Sequence, residues 1–77
     1  MHTPAYRAFL VQLITARERT GLTQVQVAKR LGWPQSRISR METGERRVDV
    51  VELQCFATLY RRPLSWFVRA HTSYLTR

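Results

Sequence analysis

The sequence is poor in acidic residues, in lysine and in cysteine. Five Asp and Glu residues stand against thirteen Arg and Lys residues, which gives a formal net charge of +8. The one cysteine, Cys55, has no partner for an internal disulfide, so we expect a reducing, intracellular setting. No apolar run approaches the roughly 18 residues of a membrane span, and no signal peptide is recognisable at the start. These absences argue against a secreted disulfide scaffold and against a membrane protein.

Arginine is what the sequence has in excess. Twelve of the thirteen basic residues are Arg, and Lys29 is the exception. The planar guanidinium fits phosphate and the edge of guanine through two-point contacts. The charge therefore indicates a polyanionic partner, with a membrane surface as the competing interpretation. With 44% hydrophobic residues among 77, residues 1–77 have the composition of one small globular domain.

Apolar residues at helical spacing predict the first helix. This stripe comprises Tyr6, Phe9, Leu10, Leu13 and Ile14. Thr3 and Pro4 precede it as a cap and a first-turn proline. The next position on the stripe is Arg17, and because an unpaired buried charge is very costly, Arg17 predicts an acidic partner in the core. The alternative is that its side chain extends to solvent from the last turn.

Residues 23–44 are the stretch around which the chain is organised, and they indicate two short helices with a tight joint. Thr23 is a good N-cap for the second helix, and Gly32 ends it. Pro34 then begins the third helix at a position where a missing N–H is harmless. Only about three residues join the two helices, which is the length that a helix-turn-helix uses.

The third helix, about residues 34–42, has an apolar face and a polar, basic face. Ile38 and Met41 form the apolar face. Glu42 follows Ile38 by four residues and so lies beside that face, where it is the natural partner for Arg17. The polar face carries Gln35, Ser36, Arg37, Ser39 and Arg40.

The rest of the chain predicts two more helices. Asp49, followed three residues later by Glu52, is a capping box that opens a fourth helix, and Pro63 closes it. Residues 64–70 indicate a short fifth helix, and residues 71–77 carry no clear pattern. Because no segment alternates convincingly at period two, we predict an all-α fold with about five helices.

A set of residues spread over most of the chain occurs at a specific combined spacing. These residues are Arg17, Gly21, Leu22, Thr23, Gln24, Ala28, Leu31, Gly32, Ile38, Ser39, Arg40, Met41, Glu42, Gly44, Leu53, Phe56 and Ala57. With them, roughly residues 6–67 resemble the DNA-binding domain of the lambda-repressor/Cro class, also described as the xenobiotic-response-element-like helix-turn-helix regulators. The resemblance implies a compact five-helix domain in which residues 23–44 are the helix-turn-helix.

The resemblance also implies roles for individual residues. The third helix would lie in the major groove, with the residues near its N-terminus at base edges. Carried onto this sequence, the base readers are Gln35, Ser36, Arg37 and Arg40. Gln24 would bind a phosphate at the N-terminus of the second helix, and Arg46 and Arg47 would lie along the DNA backbone. The family also pairs the arginine and the glutamate at the positions of Arg17 and Glu42.

The chemistry of the base-reading side chains suits this role. Arg37 and Arg40 can each make a two-point contact with guanine O6 and N7, and Gln35 can do the same with adenine N6 and N7. The competing interpretation for each of them is an ordinary solvated helix face.

Two positions depart from the family pattern. The usual small polar residue that opens the recognition helix is Pro34 here, which cannot donate a hydrogen bond to a phosphate. The connection between the fourth and fifth helices commonly carries a glycine where this chain has Arg61. Because a positive φ is mildly costly for a residue with a side chain, we expect this connection to be wound differently.

Proteins of this kind generally bind as two-fold homodimers on an inverted repeat. The natural dimer surface is the C-terminal part, residues 63–77, with Leu64, Trp66 and Phe67 as the contacting side chains. The alternative is that Trp66 and Phe67 simply cap the core of the monomer.

We therefore predict a transcriptional regulator that binds double-stranded DNA, a repressor or controller, cytoplasmic and bacterial or phage-encoded. The alternative function is an antitoxin or adaptor whose main partner is a protein, such as a toxin or RNA polymerase. A membrane-surface helix is less favoured, because the basic residues do not line one amphipathic face. Neither an enzyme nor a cofactor is indicated: His2 and His71 lie near the termini, and with Cys55 they lack the spacing of a zinc site.

Overall fold

Five α-helices make up the computed structural model of this chain, which describes residues 2–68. In chain order they are α1 (Pro4–Thr20), α2 (Gln24–Leu31), α3 (Gln35–Thr43), α4 (Val50–Tyr60) and α5 (Leu64–Val68). No strand occurs within residues 2–68, and the predicted all-α fold is confirmed. The predicted end of the fifth helix, at residue 70, lies outside the described residues.

Short capping signals set the helix boundaries. The Thr23 hydroxyl accepts a hydrogen bond from Gln26 N at 3.1 Å, and the Gln26 side chain accepts one from Thr23 N at 2.8 Å. Asp49 and Glu52 form the same reciprocal pair at the start of α4. Each pair satisfies backbone N–H groups that a helix start leaves without partners. Pro34 is the residue just before α3 rather than its first residue.

The core lies between the long α1 and the other four helices. Its buried hydrophobic residues are Phe9, Leu10, Leu13 and Ala16 from α1, Val27 and Ala28 from α2, Ile38 and Met41 from α3, Phe56, Ala57 and Tyr60 from α4, and Phe67 from α5. The joint between α2 and α3 is tight, since the N–H groups of Gly32 and Trp33 both bond to the carbonyl of Ala28, at 2.9 and 3.0 Å. The two helices therefore pack as one unit.

A buried ion pair joins α1 to α3. Arg17 Nε donates to Glu42 Oε2 at 2.7 Å, and Arg17 Nη2 donates to Oε1 at 3.1 Å. The third guanidinium nitrogen, Nη1, donates to the carbonyl of Leu22 at 2.9 Å. The side chains of Arg17 and Glu42 are 15% and 3% exposed. The hydrogen bond to Glu42 raises the pKa of Arg17 above its ordinary value, so the guanidinium stays charged in the folded protein.

The connection between α4 and α5 contains a residue with a positive φ, contrary to the expectation from the sequence. Arg61 adopts φ 58° and ψ 47°, the left-handed conformation that glycine adopts most easily. The expectation of a different winding is wrong, because the N–H groups of Arg61 and Arg62 bond back to Thr58 O at 3.3 Å and Ala57 O at 3.0 Å. These bonds satisfy the last carbonyls of α4 and offset the backbone strain.

The fifth helix closes the core. Phe67 is 1% exposed, and its ring centre lies 6.4 Å from that of Phe9. Gln12 in α1 donates from its side-chain nitrogen to the Trp66 carbonyl at 3.1 Å. Phe67 is thus a core residue, in contrast to its assignment to a dimer surface, whereas Trp66 is half-buried and Leu64 is 38% exposed.

We expect Arg17→Ala to destabilise the protein strongly, because it leaves the Glu42 carboxylate buried without its ion-pair partner. Loss of one partner of a buried pair costs about 3 kcal/mol or more, which lowers the Tm of a domain of this size by about 10 °C or more. Arg19→Ala is the matched control: Arg19 is an exposed arginine in the last turn of the same helix. A thermal melt of Arg17→Ala within a degree of the parent would refute the role of the pair.

Candidate nucleic-acid interface

The outer side of α3 carries an exposed stripe of polar side chains. Ile38, Met41 and Glu42 are the buried residues of this helix. Ser36, Arg40 and Thr43 are exposed, and their spacing of four and three residues places them on one face, opposite the buried stripe. Gln35 is also exposed, and Ser39 is half-buried. Thr43 was not among the predicted site residues, although the same periodicity could have identified it.

Arg37 does not belong to this exposed stripe. Its Nη2 atom bonds to Glu52 Oε2, and its guanidinium carbon lies 4.2 Å from the centre of the Trp33 ring. The Arg37 side chain is 31% exposed, whereas that of Arg40 is 63% exposed. The structure thus separates Arg37 from the other three predicted base readers.

Glu52 holds this flank of α3 together. Its Oε2 atom accepts hydrogen bonds from Arg37 and, at 2.9 Å, from Arg46 Nη1, and its Oε1 atom accepts one from Asp49 N at 2.9 Å. The carboxylate side chain is 6% exposed. We call Glu52, Arg37, Arg46 and Trp33 the Glu52 clamp. Sequence reasoning assigned Glu52 a capping role alone, since its two arginine partners lie on other elements.

The environment of Glu52 favours its charged form. Burial by itself would raise the pKa of the Glu52 carboxyl, but the hydrogen bonds from the Asp49 backbone and from Arg37 and Arg46 outweigh burial, so the pKa lies below its ordinary value. Glu52 is therefore ionised at neutral pH, and it neutralises one positive charge within the clamp.

A chain of hydrogen bonds runs from the core to the opposite flank of α3. Gln24 Nε2 donates to Glu42 Oε1 at 2.9 Å, and Gln35 Nε2 donates to Gln24 Oε1 at 2.8 Å. Because Glu42 also binds Arg17, the chain connects α1, α2 and α3. The predicted phosphate ligand Gln24 and the predicted base reader Gln35 are thus neighbours that orient each other.

The loop after α3, which carries Arg46 and Arg47, contacts the start of α1. Gly44 ends α3 with φ 85°, and a Cβ at this position would lie 2.7 Å from His2 Nε2 and 3.0 Å from Leu10 Cδ1. The Arg47 guanidinium lies 4.6 Å from the centre of the Tyr6 ring. The Tyr6 hydroxyl also accepts a hydrogen bond from Val48 N at 3.0 Å, which fixes the loop to the start of α1.

Arg40 is restrained only weakly. Its Nε atom lies 3.3 Å from Glu45 Oε2, and the two side chains are 63% and 65% exposed. An exposed ion pair of this kind contributes between zero and about 1 kcal/mol, so Arg40 can leave Glu45 at little expense. Arg40 is therefore more available to bind a ligand than Arg37, although the two lie only three residues apart on the same helix.

Metal and membrane features are absent from the part of the chain that the structure describes. Within residues 2–68, no three His, Cys, Asp or Glu side chains lie together in a way that could hold a metal ion. None of the five helices is long and apolar enough to cross a membrane.

A family model described as a helix-turn-helix domain matches residues 8–65, a range that includes α2, the joint and α3. Neither the comparison with curated proteins nor the comparison with solved structures returned a match.

We expect Glu52→Gln to lower the free energy of unfolding by about 1–2 kcal/mol at pH 7, because it removes the charge that two partly exposed arginines bind. Gln retains the side-chain carbonyl that caps α4. Because the folded-state pKa of Glu52 is lowered, its contribution is present above the ordinary value of about 4.3 and is lost as the pH falls through the folded-state pKa. Urea unfolding should therefore show the gap between parent and variant narrowing below about pH 4. A gap that is constant from pH 7 to pH 2 would contradict this account.

Proposed function

The chain belongs to the helix-turn-helix domain family, and on this premise we propose that it is a transcriptional regulator that reads a DNA operator in the major groove with α3. The observation that carries the proposal is the exposed polar stripe of α3, held in a fixed orientation. One flank of α3 is bound to the core through Glu42, and the other is bound through Glu52. A helix whose direction is fixed from both sides can present side chains to base edges in a reproducible register.

Three residues would read bases. Arg40 can make a two-point contact with guanine, worth about 1–3 kcal/mol of discrimination, and its exposed pair with Glu45 does not hold it back. Gln35 at the start of α3 can contact adenine in the same two-point manner, oriented by Gln24. The Ser36 hydroxyl is exposed on the same face and can donate to or accept from a base edge.

Phosphate contacts would set the position of the protein on the duplex. At the start of α2, the N–H groups of Gln24 and Val25 are not used by the capping pair of Thr23 and Gln26, and they suit a phosphate oxygen. The loop arginines Arg46 and Arg47, which follow α3 in the chain, are both exposed. Such contacts do not distinguish sequences, and they weaken as salt rises.

A two-fold dimer on an inverted repeat would double the readable length of one domain. An apolar groove of about 430 Å³ adjoins the end of α5, and its lining includes Phe9, Leu53, Val50 and Val68. Val50 and Val68 are 70% and 43% exposed. Together with Leu64 and Trp66, this groove is the surface we propose for the dimer, in the role of a repressor or controller.

Selection from random duplexes tests the proposed reading of DNA. The parent should return an inverted repeat. Arg40→Ala should lose the preference at one base pair per half-site by about tenfold or more. Arg47→Ala should weaken binding to every duplex by the same factor. It should also reduce the slope of log affinity against log salt concentration by about 1. If every duplex binds equally, or none binds at moderate salt, a protein partner becomes the better hypothesis.

The dimer surface predicts an effect on self-association. Val68→Glu places a charge in the apolar groove beside α5, and we expect sedimentation to show a dissociation constant raised about tenfold or more, because burial of an unpaired charge is costly. Val11→Glu is the control, since Val11 is 62% exposed and does not line the groove. Equal self-association of the two variants would argue against this surface.

A further inference from the structure

The two arginines of α3 are in different physical states. Arg40 is 63% exposed and has one exposed partner, whereas Arg37 is 31% exposed. One side of the Arg37 guanidinium is bonded to the buried carboxylate of Glu52, and the Trp33 ring lies 4.2 Å away. Arg37 therefore has both a charged partner and an aromatic partner before any DNA is present.

The partners of Arg37 are themselves anchored in the core. The Trp33 ring meets the Phe56 ring edge-on, with centres 5.5 Å apart and an angle of 89°, and Phe56 is fully buried. Glu52 lies in the first turn of α4 and bonds to Asp49 N in its capping box. Arg37 thus cannot turn toward a base without separating from groups that are unable to follow it.

Charge compensation adds a second restraint. Glu52 has two arginine partners, and Arg46, at 42% exposed, is the more accessible of them. If Arg46 binds a DNA phosphate instead of Glu52, the carboxylate still has Arg37 as its ion-pair partner. Once Arg46 has moved, departure of Arg37 would leave Glu52 buried without a cation, which is strongly unfavourable. Binding of Arg46 to the DNA backbone therefore makes Arg37 less available for contact with a base.

We propose that Glu52 is a specificity-determining residue: it withholds Arg37 from the bases, so that Arg40 is the one arginine of α3 that reads guanine. This inference rests on the proposed function, and it replaces the base contact that the family resemblance implies for Arg37. Glu52 does not touch DNA itself. It acts as a positioning residue through Arg37, and the operator consequently lacks a guanine requirement at the position that a free Arg37 would reach.

Selected DNA sites of five proteins test the inference: the parent, Arg37→Gln, Glu52→Gln, Glu45→Gln and the double variant Glu52→Gln/Arg37→Gln. Arg37→Gln should select the same site as the parent, because no base contact is lost. Glu52→Gln should keep the parent's half-site and gain a preference for guanine at one further position, by about fivefold or more. The double variant should lose that new preference.

Glu45→Gln is the matched control for charge. It removes one negative charge beside the same helix, but from the exposed pair with Arg40 rather than from the clamp. It should strengthen binding to all sequences alike and add no new position. Thermal melts establish that each variant is folded, and if Glu52→Gln does not fold, the Arg37→Gln arm decides alone.

The outcomes separate the inference from its premise. If the parent selects no sequence, both the proposed function and the inference are overturned. If the parent selects a site and Arg37→Gln loses a guanine preference in it, Arg37 reads a base and the inference alone is overturned. The same conclusion follows if folded Glu52→Gln selects a site identical to that of the parent.

Discussion

The ion pair between Arg17 and Glu42 is the interaction on which the rest of the structure depends. Glu42 lies on the buried side of α3, and removal of its carboxylate from water is tolerable only because Arg17 binds both of its oxygens. The same carboxylate accepts from Gln24, which in turn orients Gln35. One buried charge thus fixes the direction of α3 relative to α1 and α2. Through Gln24, it also orients Gln35 at the start of the proposed reading surface.

A second buried carboxylate completes the arrangement from the other side. Among residues 2–68, Glu42 and Glu52 are the two charged side chains that are buried, and each holds one flank of α3. Both carboxylates are bound by arginines: Glu42 by Arg17 of α1, and Glu52 by Arg37 of α3 and Arg46 of the following loop. What remains exposed on α3 is a narrow polar stripe that includes Arg40, whose exposed pair with Glu45 leaves it free to make the proposed contact with DNA.

Much of the fold could be predicted from local sequence, because helices depend on spacing and caps within a few residues. The N-cap at Thr23 and the capping box at Asp49 lie where the sequence places them. The partner of Arg17 could also be named, since each residue continues or borders the apolar stripe of its own helix. The connection at Arg61 could not, because hydrogen bonds to the end of α4 outweigh a local backbone preference. Phe67 was likewise ambiguous until the position of α5 against Phe9 was known.

The sequence by itself determined that the chain forms five helices, that α2 and α3 are joined tightly, and that α3 has a polar, basic face. It could not distinguish Arg37 from Arg40, which lie on the same helix, three residues apart and with similar neighbours. That distinction depends on where α4 places Glu52, fifteen residues from Arg37 along the chain. Only the tertiary structure decided it, because an ion pair forms between groups that packing brings together, whatever their separation in sequence.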